Sequence, residues 1–289
     1  MSARSCVKSP ASQSGFTLIE LSIVLVIIGL IVGGVLVGQD LIRAAEVRAT
    51  IAQIEKYNTA VNTFRGKYDA LPGDMNASTA TSFGFTARGT NPGQGDGNGV
   101  IEGPNSSTAA DGFIQGGETL SFWVDLSVGN ASTPMNINLV DGSFSLAVPS
   151  AAAPSIASTA FSSYFPAAKL GRGNYIYVYS TNGINYYGLS NLSSTATGVV
   201  TSGVSMTAQQ AYNIDNKVDD GFPATGNVTA AYVNGDAGEN GSPSTSAHAG
   251  VAGSGGSATD CYDSTSAPSY QLAVSNGNGA NCALSFQFQ

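Results

Sequence analysis

The first part of the chain is an uncharged apolar stretch that passes into a periodic one. No residue from Leu21 to Gly38 is charged, and about 20 such residues suffice for a helix to cross a membrane. Beyond it, apolar residues recur on a 3.6-residue period and form one stripe: Val47, Ile51, Ile54, Val61, Phe64 and Tyr68. Leu71-Pro72-Gly73 ends the pattern, because proline cannot continue a helix. The sequence therefore predicts one helix over residues 16–69, about 80 Å long.

The rest of the chain changes to short elements between loops rich in Gly, Ser, Thr and Asn. Aromatic and β-branched residues alternate on both sides of Asn182-Gly183, which predicts a β-hairpin whose tyrosines form either a sheet packed on the helix or a binding face. Other predicted elements are helices at Glu118–Leu126 and from Thr207, one or two strands within Asn138–Val148, and a final strand pair, Tyr270–Val274 with Ala283–Phe288. These elements indicate an α+β chain.

Composition limits the classes of partner. The chain has 11 basic and 19 acidic side chains, a formal net charge of −8, and only 10% of its residues are charged. This negative charge makes nucleic acid an unexpected partner. The small polar residues are typical of well-solvated loops on an exported, β-rich body.

At the start of the apolar stretch stands Gly15-Phe16-Thr17-Leu18-Ile19-Glu20. Inserting a carboxylate near the centre of a bilayer costs about 2.5 to 3.5 kcal/mol, and the cost is lower near an interface. A residue kept at such a cost usually has a function, and we expect one for Glu20. A secretory signal would place a small-residue cleavage site after the apolar region, whereas here the helical pattern continues. A single-span anchor fits the length, and Arg4 and Lys8 would keep the preceding residues in the cytoplasm. An anchor alone does not explain the glycine, phenylalanine and glutamate at these spacings.

These residues resemble the signal of type IV prepilins and of the pseudopilins of type II secretion. The resemblance implies that a prepilin peptidase cleaves after Gly15 and that Phe16 becomes a methylated N-terminus. It also implies that the Glu20 carboxylate meets the N-terminal amine of a neighbouring subunit. The likeness is close from Gly15 to Met75 and looser beyond. Many pilins carry a proline in the later part of this helix, and this chain has none between Gly15 and Pro72.

The same resemblance implies a domain organisation. Residues 1–15 would be a cleaved leader, and residues 16–72 a stem helix whose transmembrane half covers about 18–38. Residues 73–289 would form a globular β-rich domain, with the stem helix packed on its antiparallel sheet. The protein would cross the inner membrane once, keep its C-terminal domain in the periplasm or outside the cell, and then enter a filament.

The function implied is that of a structural subunit, either pilin or pseudopilin. Its partners would be other subunits, the prepilin peptidase and the inner-membrane assembly platform. An alternative is a minor or tip subunit that acts as an adhesin or binding module and uses segments 76–117 and 224–260. The sequence does not separate a pilus from a secretion pseudopilus.

Of the three cysteines, Cys6 lies in the implied leader. Cys261 and Cys282 remain, on the side of the membrane that faces an oxidising compartment, and they predict a disulfide. Such a bond would contribute about 3 kcal/mol, mostly by restricting the unfolded chain. The alternative is a pair of free buried thiols.

Two acidic loops are candidates for calcium, although no cofactor is required. The loop from Asp96 to Glu102 resembles the middle of a calcium-binding loop, but Gln94 and Asn105 stand at the end positions where carboxylates matter most. The second candidate joins three carboxylates near a helix C-terminus, where negative charge is disfavoured: Asp215, Asp219 and Asp220. Either Ca²⁺ or Lys217 would offset this charge. The alternative for both loops is an ordinary solvated turn.

Nothing in the sequence predicts catalysis. The single histidine, His248, lies in a small-residue loop, which leaves too little for a histidine-dependent triad or a multi-histidine zinc site. The glycine-rich run of residues 93–99 lacks the Lys-Ser/Thr of a phosphate-binding loop. We therefore expect a protein that is not an enzyme.

Overall fold

Helix α1 runs from Leu18 to Tyr68, close to the predicted bounds. The structure is a computed structural model that describes residues 15, 17–85, 87–89, 92–105, 108–110, 114, 116–127, 137–145, 156–196, 199–236, 249–250, 260–263, 267–273 and 277–288. The chain divides into two compact units between Ala45 and Glu46, so the division falls within α1.

In the first unit α1 is an apolar helix with no buried side chain between residues 18 and 45. Its leucines, isoleucines and valines from Leu18 to Ile42 are all exposed, from 49% at Val24 to 88% at Leu18. By length and composition the helix is able to cross a membrane. These apolar side chains therefore have no cover within their own unit.

In the second unit α1 is amphipathic. The predicted stripe is buried at Val47, Ile54, Val61, Phe64 and Tyr68, with Ile51 partly buried. Thr50, Tyr57 and Ala60 also belong to the buried face, because they follow the same helical period. Outside this face, Gln53 fixes the helix to the body: its Nε2 donates to the carbonyl of Ala167 at 3.0 Å, and its Oε1 accepts from the Lys169 N–H at 2.9 Å.

The other elements are short. The helices are α2 (Ala77–Phe83), α3 (Glu118–Leu126), a 3₁₀ helix (Ser158–Ser163) and α4 (Ala208–Val218). The strands are β1 (Gly103–Asn105), β2 (Thr108–Ala110), β3 (Asn174–Thr181), β4 (Ile184–Ala196), β5 (Val199–Gly203), β6 (Val228–Thr229), β7 (Gly235–Asp236), β8 (Ala249–Gly250), β9 (Tyr262–Asp263) and β10 (Leu284–Gln287). The helices predicted at Glu118 and Thr207 are confirmed. Thr207 caps α4 in a reciprocal capping box with Gln210.

The main sheet is antiparallel and is built on β4. Its strand order is β6-β10-β4-β5-β7, with β3 also paired to β4. Asn182 (φ +51) and Gly183 (φ +74) form the predicted two-residue turn between β3 and β4, which requires positive φ at both positions. Tyr177, Tyr179 and Tyr187 are buried, as expected for a sheet packed against helices and not for a binding face. The predicted α+β class is confirmed.

Aromatic rings join α1 and α3 to this sheet. The Tyr57 ring of α1 lies 4.9 Å from the ring of Trp123 in α3, and 6.1 Å from that of Tyr187 in β4. Phe288 stacks on Tyr187 at 4.2 Å. The core of the second unit is therefore one aromatic cluster shared by two helices and the sheet.

Two strand predictions do not agree with the described residues. Residues 137–145 contain no strand, because Leu139 and Val140 donate their N–H groups to the Leu126 carbonyl at the end of α3, and the rest of the predicted range, residues 146–148, lies outside the described residues. The predicted final strand pair does not form either. Strand β10 pairs with β4 and β6, where Leu284 lies opposite the buried Leu189, and Tyr270 instead makes a single bridge to Tyr262.

Candidate functional site

The N-terminal signal region begins α1 with a reciprocal cap. Glu20 Oε2 accepts hydrogen bonds from the Thr17 main-chain N–H and from Thr17 Oγ1, each at 2.8 Å. In return the Glu20 N–H donates to Thr17 Oγ1 at 3.3 Å. This is the arrangement of a capping box, and it places a carboxylate at the positive end of the helix. Phe16 and the implied leader before Gly15 lie outside the described residues.

This arrangement leaves one carboxylate oxygen for a partner. Glu20 Oε1 makes no hydrogen bond to any of the described residues. Glu20 is also the only charged side chain between Gly15 and Gln39. The region can therefore present a single carboxylate, already fixed by its own helix, to a cationic group.

The sequence-predicted metal cluster does come together. Ligand atoms of Asp215, Asp219 and Asp220 lie within 4.8 Å of one another. Each carboxylate also has partners in its own loop. Asp215 accepts from the Gly221 N–H at 3.1 Å and from Tyr270 Oη at 2.7 Å. Asp219 Oδ2 accepts from the N–H groups of residues 227 and 228, and Asp220 from Phe222 and Thr225.

The three carboxyls of this cluster differ in burial, and those of Asp215 and Asp220 differ in pKa. Burial of Asp215 raises the pKa of its carboxyl to about 6, although the hydrogen bonds from Tyr270 and Gly221 oppose the rise. At exposed Asp220 the hydrogen bonds from Thr225 and Phe222 lower the pKa. No lysine or arginine among the described residues bonds to these carboxylates, and Lys217 is exposed. The oxygens fit a hard cation such as Ca²⁺ in chemical type.

A second carboxylate cluster was missed by the sequence reasoning. It brings Asp74, Asp96 and Glu118 within 4.8 Å of one another, and Asp74 and Glu118 are buried. Asp74 accepts from the N–H groups of Gly97 at 2.8 Å and Gly99 at 2.7 Å. Glu118 accepts from three more N–H groups of the same loop, those of residues 95, 96 and 102. The loop therefore folds around two carboxylates that come from elsewhere in the chain.

The electrostatics of this second cluster follow from burial. Desolvation raises the pKa of Asp74 to about 6. It raises that of Glu118 well above its ordinary value, with Asp74 as the next cause. The loop has Gln94 and Asn105 at its own end positions, and the buried carboxylates next to it come from Asp74 and Glu118. The signals available in the sequence were Asp74 directly after Pro72-Gly73, and Glu118 at the start of a predicted helix.

The structure contains the predicted disulfide. Cys261 and Cys282 are joined with their Cα atoms 4.9 Å apart, and both are fully buried. Cys282 exchanges main-chain hydrogen bonds with Met206, and the Cys261 carbonyl accepts from the Gln271 N–H at 2.9 Å. The bond therefore ties the segment that carries Tyr270 to the start of α4. His248 lies outside the described residues.

Comparison with known proteins agrees with the N-terminal region. A family model of the prokaryotic N-terminal methylation motif matches residues 10–36, and this confirms the predicted prepilin-type signal. No curated protein and no solved structure matches the chain. The match covers the N-terminal signal, and the exposed apolar part of α1 within and after it is able to cross a membrane by length and composition.

Proposed function

We propose that this chain is a structural subunit of a type IV filament system, either a pilin or a pseudopilin. The observation that carries the proposal is the methylation motif at residues 10–36, which includes most of the exposed apolar part of α1. An apolar surface of this extent is not stable in water and requires lipid or other subunits as cover. In a filament, the same helix would exchange lipid for neighbouring helices.

The residues of the signal would act in processing and assembly in turn. A prepilin peptidase of the inner membrane removes residues 1–15, and Phe16 becomes the methylated N-terminus. An assembly platform then transfers the subunit into the filament, while the second unit stays on the periplasmic or extracellular side. Glu20, held by Thr17, pairs through its carboxylate with the N-terminal amine of a neighbouring subunit. In a low-dielectric environment such a pair is strongly favoured over two separate charges.

The processing step is tested on membrane-extracted protein by mass spectrometry of the N-terminus. The expected N-terminal residue is a methylated Phe16. An intact Met1, or cleavage after the apolar stretch, would refute it.

The pairing step is tested by two substitutions that the capping box distinguishes. Glu20→Gln keeps a side chain able to cap the helix but removes the charge, whereas Glu20→Ala removes both. If the carboxylate pairs with an amine, both variants insert in the membrane and neither assembles. Assembly of the Glu20→Gln variant would show that only the cap matters, and would contradict the pairing.

A second role, that of a minor or tip subunit with a binding function, is favoured by one observation. A polar cavity opens between the end of α1 and the loop of residues 97–99, which belongs to one of the two segments predicted to contact a surface.

A further inference from the structure

The polar cavity has a volume of about 510 Å³ and lies wholly in the second unit. Arg65 in the last turn of α1 and Asp69 just after the helix contribute to its lining, as do Asn76 and Thr79 at the start of α2. Asp74 and the loop of residues 97–99 complete the polar part. A cavity of this size is in the range that holds small-molecule ligands, about 300 to 1,000 Å³.

The loop side of the cavity is fixed by hydrogen bonds that the protein makes itself. Asp74 accepts from the N–H groups of Gly97 and Gly99. Asn98 Oδ1 accepts from the Val100 N–H at 2.7 Å, and Asn185 Nδ2 donates to the Gly99 carbonyl at 2.9 Å. The cavity is therefore formed before any ligand arrives, which lowers the entropic cost of binding.

The lining selects for a class of ligand by its charge and hydrogen-bonding groups. Most of it is polar, in contrast to the mainly apolar lining of common ligand pockets, so an apolar ligand is disfavoured. Two carboxylates, Asp69 and Asp74, oppose an anion, and the Arg65 guanidinium opposes a cation. What remains is a neutral molecule whose groups both donate and accept hydrogen bonds.

One wall of the cavity also carries an unsatisfied group. Tyr68 is 4% exposed and contributes to the lining, and its hydroxyl has no hydrogen-bond partner in the part of the chain that the structure describes. A buried hydroxyl without a partner is unfavourable. The region around the cavity is therefore not saturated by the protein's own hydrogen bonds.

We propose that this cavity binds a neutral saccharide of one or two sugar rings. Arg65 and the amides of Asn76 and Asn98 donate to ring hydroxyls, while Asp69 accepts from them. The proposal deepens the second role above by naming its ligand class. Binding takes place on the unassembled chain, so failure of saccharide binding leaves the filament role intact, and failure of assembly leaves the binding measurable.

The test uses the full chain in a zwitterionic detergent without a sugar headgroup, because a glycoside detergent would compete. The probes are glucose, galactose, N-acetylglucosamine and their disaccharides, measured by saturation-transfer difference NMR, with glucuronate and glucosamine as charged counterparts. We expect saturation transfer to at least one neutral probe at millimolar concentration, and weaker transfer to its charged counterpart. No transfer to any neutral probe, or stronger binding of a charged one, overturns the proposal.

Substitutions in the lining test whether the saccharide binds in this cavity. The double substitution Arg65→Ala, Asp69→Asn removes two charged hydrogen-bonding groups and should weaken binding about tenfold or more. Asparagine tolerates the positive φ of Asp69 (+53), so the backbone is kept. The matched control is Arg48→Ala, an exposed arginine of α1 outside the lining, which should bind like the wild type. Wild-type affinity in a double variant with an unchanged unfolding midpoint places the saccharide elsewhere and refutes the assignment.

Discussion

The two parts of α1 share one secondary structure and have opposite surroundings. From Leu18 to Ala45 every apolar side chain is exposed, and Leu30 reaches 72%. From Glu46 to Tyr68 a full stripe is buried, with Val47 at 2% and Phe64 at 1%. The helical backbone is satisfied internally in both parts, so hydrogen bonding does not distinguish them.

The two parts differ in what buries their apolar side chains. The second part is amphipathic and its apolar face meets α3, β4 and the loops of its own unit. The first part is apolar on all sides and none of its apolar side chains is buried within its own unit, so under the proposed function lipid or other subunits would bury it. Substitutions in the second part should therefore change folding, and those in the first part should change insertion or assembly only.

The largest expected effect is that of Phe64→Ala. The Phe64 ring lies 4.7 Å from that of Tyr68 and 5.5 Å from that of Phe85, so its loss leaves a cavity and should cost about 3–5 kcal/mol. The control is Leu30→Ala, which should leave the free energy of unfolding of the second unit unchanged. Trp123, the single tryptophan and fully buried, reports unfolding by fluorescence in detergent with added denaturant. Equal effects of the two substitutions would abolish the distinction between the parts.

Loss of the disulfide should have the next largest effect. Replacing Cys261 and Cys282 by alanine is expected to lower the free energy of unfolding by about 3 kcal/mol, because the unfolded chain is no longer restricted. Extraction of the protein from membranes should be unchanged, since the bond lies in the second unit. Thiol labelling of the denatured, unreduced chain should leave Cys261 and Cys282 unlabelled, and labelling of both would disprove the bond.

The third prediction concerns pH. Burial raises the pKa of Asp215 and Asp74 to about 6, so the folded state binds protons that the unfolded state has lost. This contribution to stability is fully present below pH 3.8 and is lost as the pH rises through about 6. The second unit should therefore be more stable at pH 5 than at pH 7.5, by about 1 kcal/mol for each group, since only part of the shift is lost over this range and solvent screens part of the effect.

Asp215→Asn tests the assignment of this pH dependence. The amide can still accept from the Gly221 N–H and can donate to Tyr270 Oη, so both contacts of Asp215 are kept. The variant should show a smaller decrease in unfolding free energy between pH 5 and pH 7.5 than the wild type. A wild type that gains stability over this range, or a variant with an unchanged slope, would contradict the prediction.

The smallest expected effect is that of calcium. We expect calcium to stabilise the second unit by about 1 kcal/mol, or about 2–4 °C in the melting temperature, relative to a chelator. The shift should disappear in the double variant Asp219→Asn, Asp220→Asn and persist in Asp96→Asn. Loss of the shift in Asp96→Asn alone would instead place the ion with Asp74 and Glu118. No shift in the wild type would mean that both loops are ordinary solvated turns.

Prediction from the sequence succeeded where the signal is local. The helix stripe, the helices α3 and α4 and the Asn182-Gly183 turn depend on residues within a few positions of one another. The strand pairing of β10 was predicted wrongly, because its partners β4 and β6 are distant in the chain and are chosen by buried contacts such as Leu284 with Leu189. Alternation of residues gives a strand but not its neighbour.

The sequence by itself determined the signal, the apolar and amphipathic parts of α1, and the pairing of Cys261 with Cys282. These features are written in residue types at short, fixed spacings. Only the tertiary structure decided that Asp74 and Glu118 supply the carboxylates around the loop of residues 95–102, and that the end of α1 forms a polar cavity with that loop. Such sites join residues separated by 16 positions or more, and their proximity is set by packing of the whole unit, which no local pattern records.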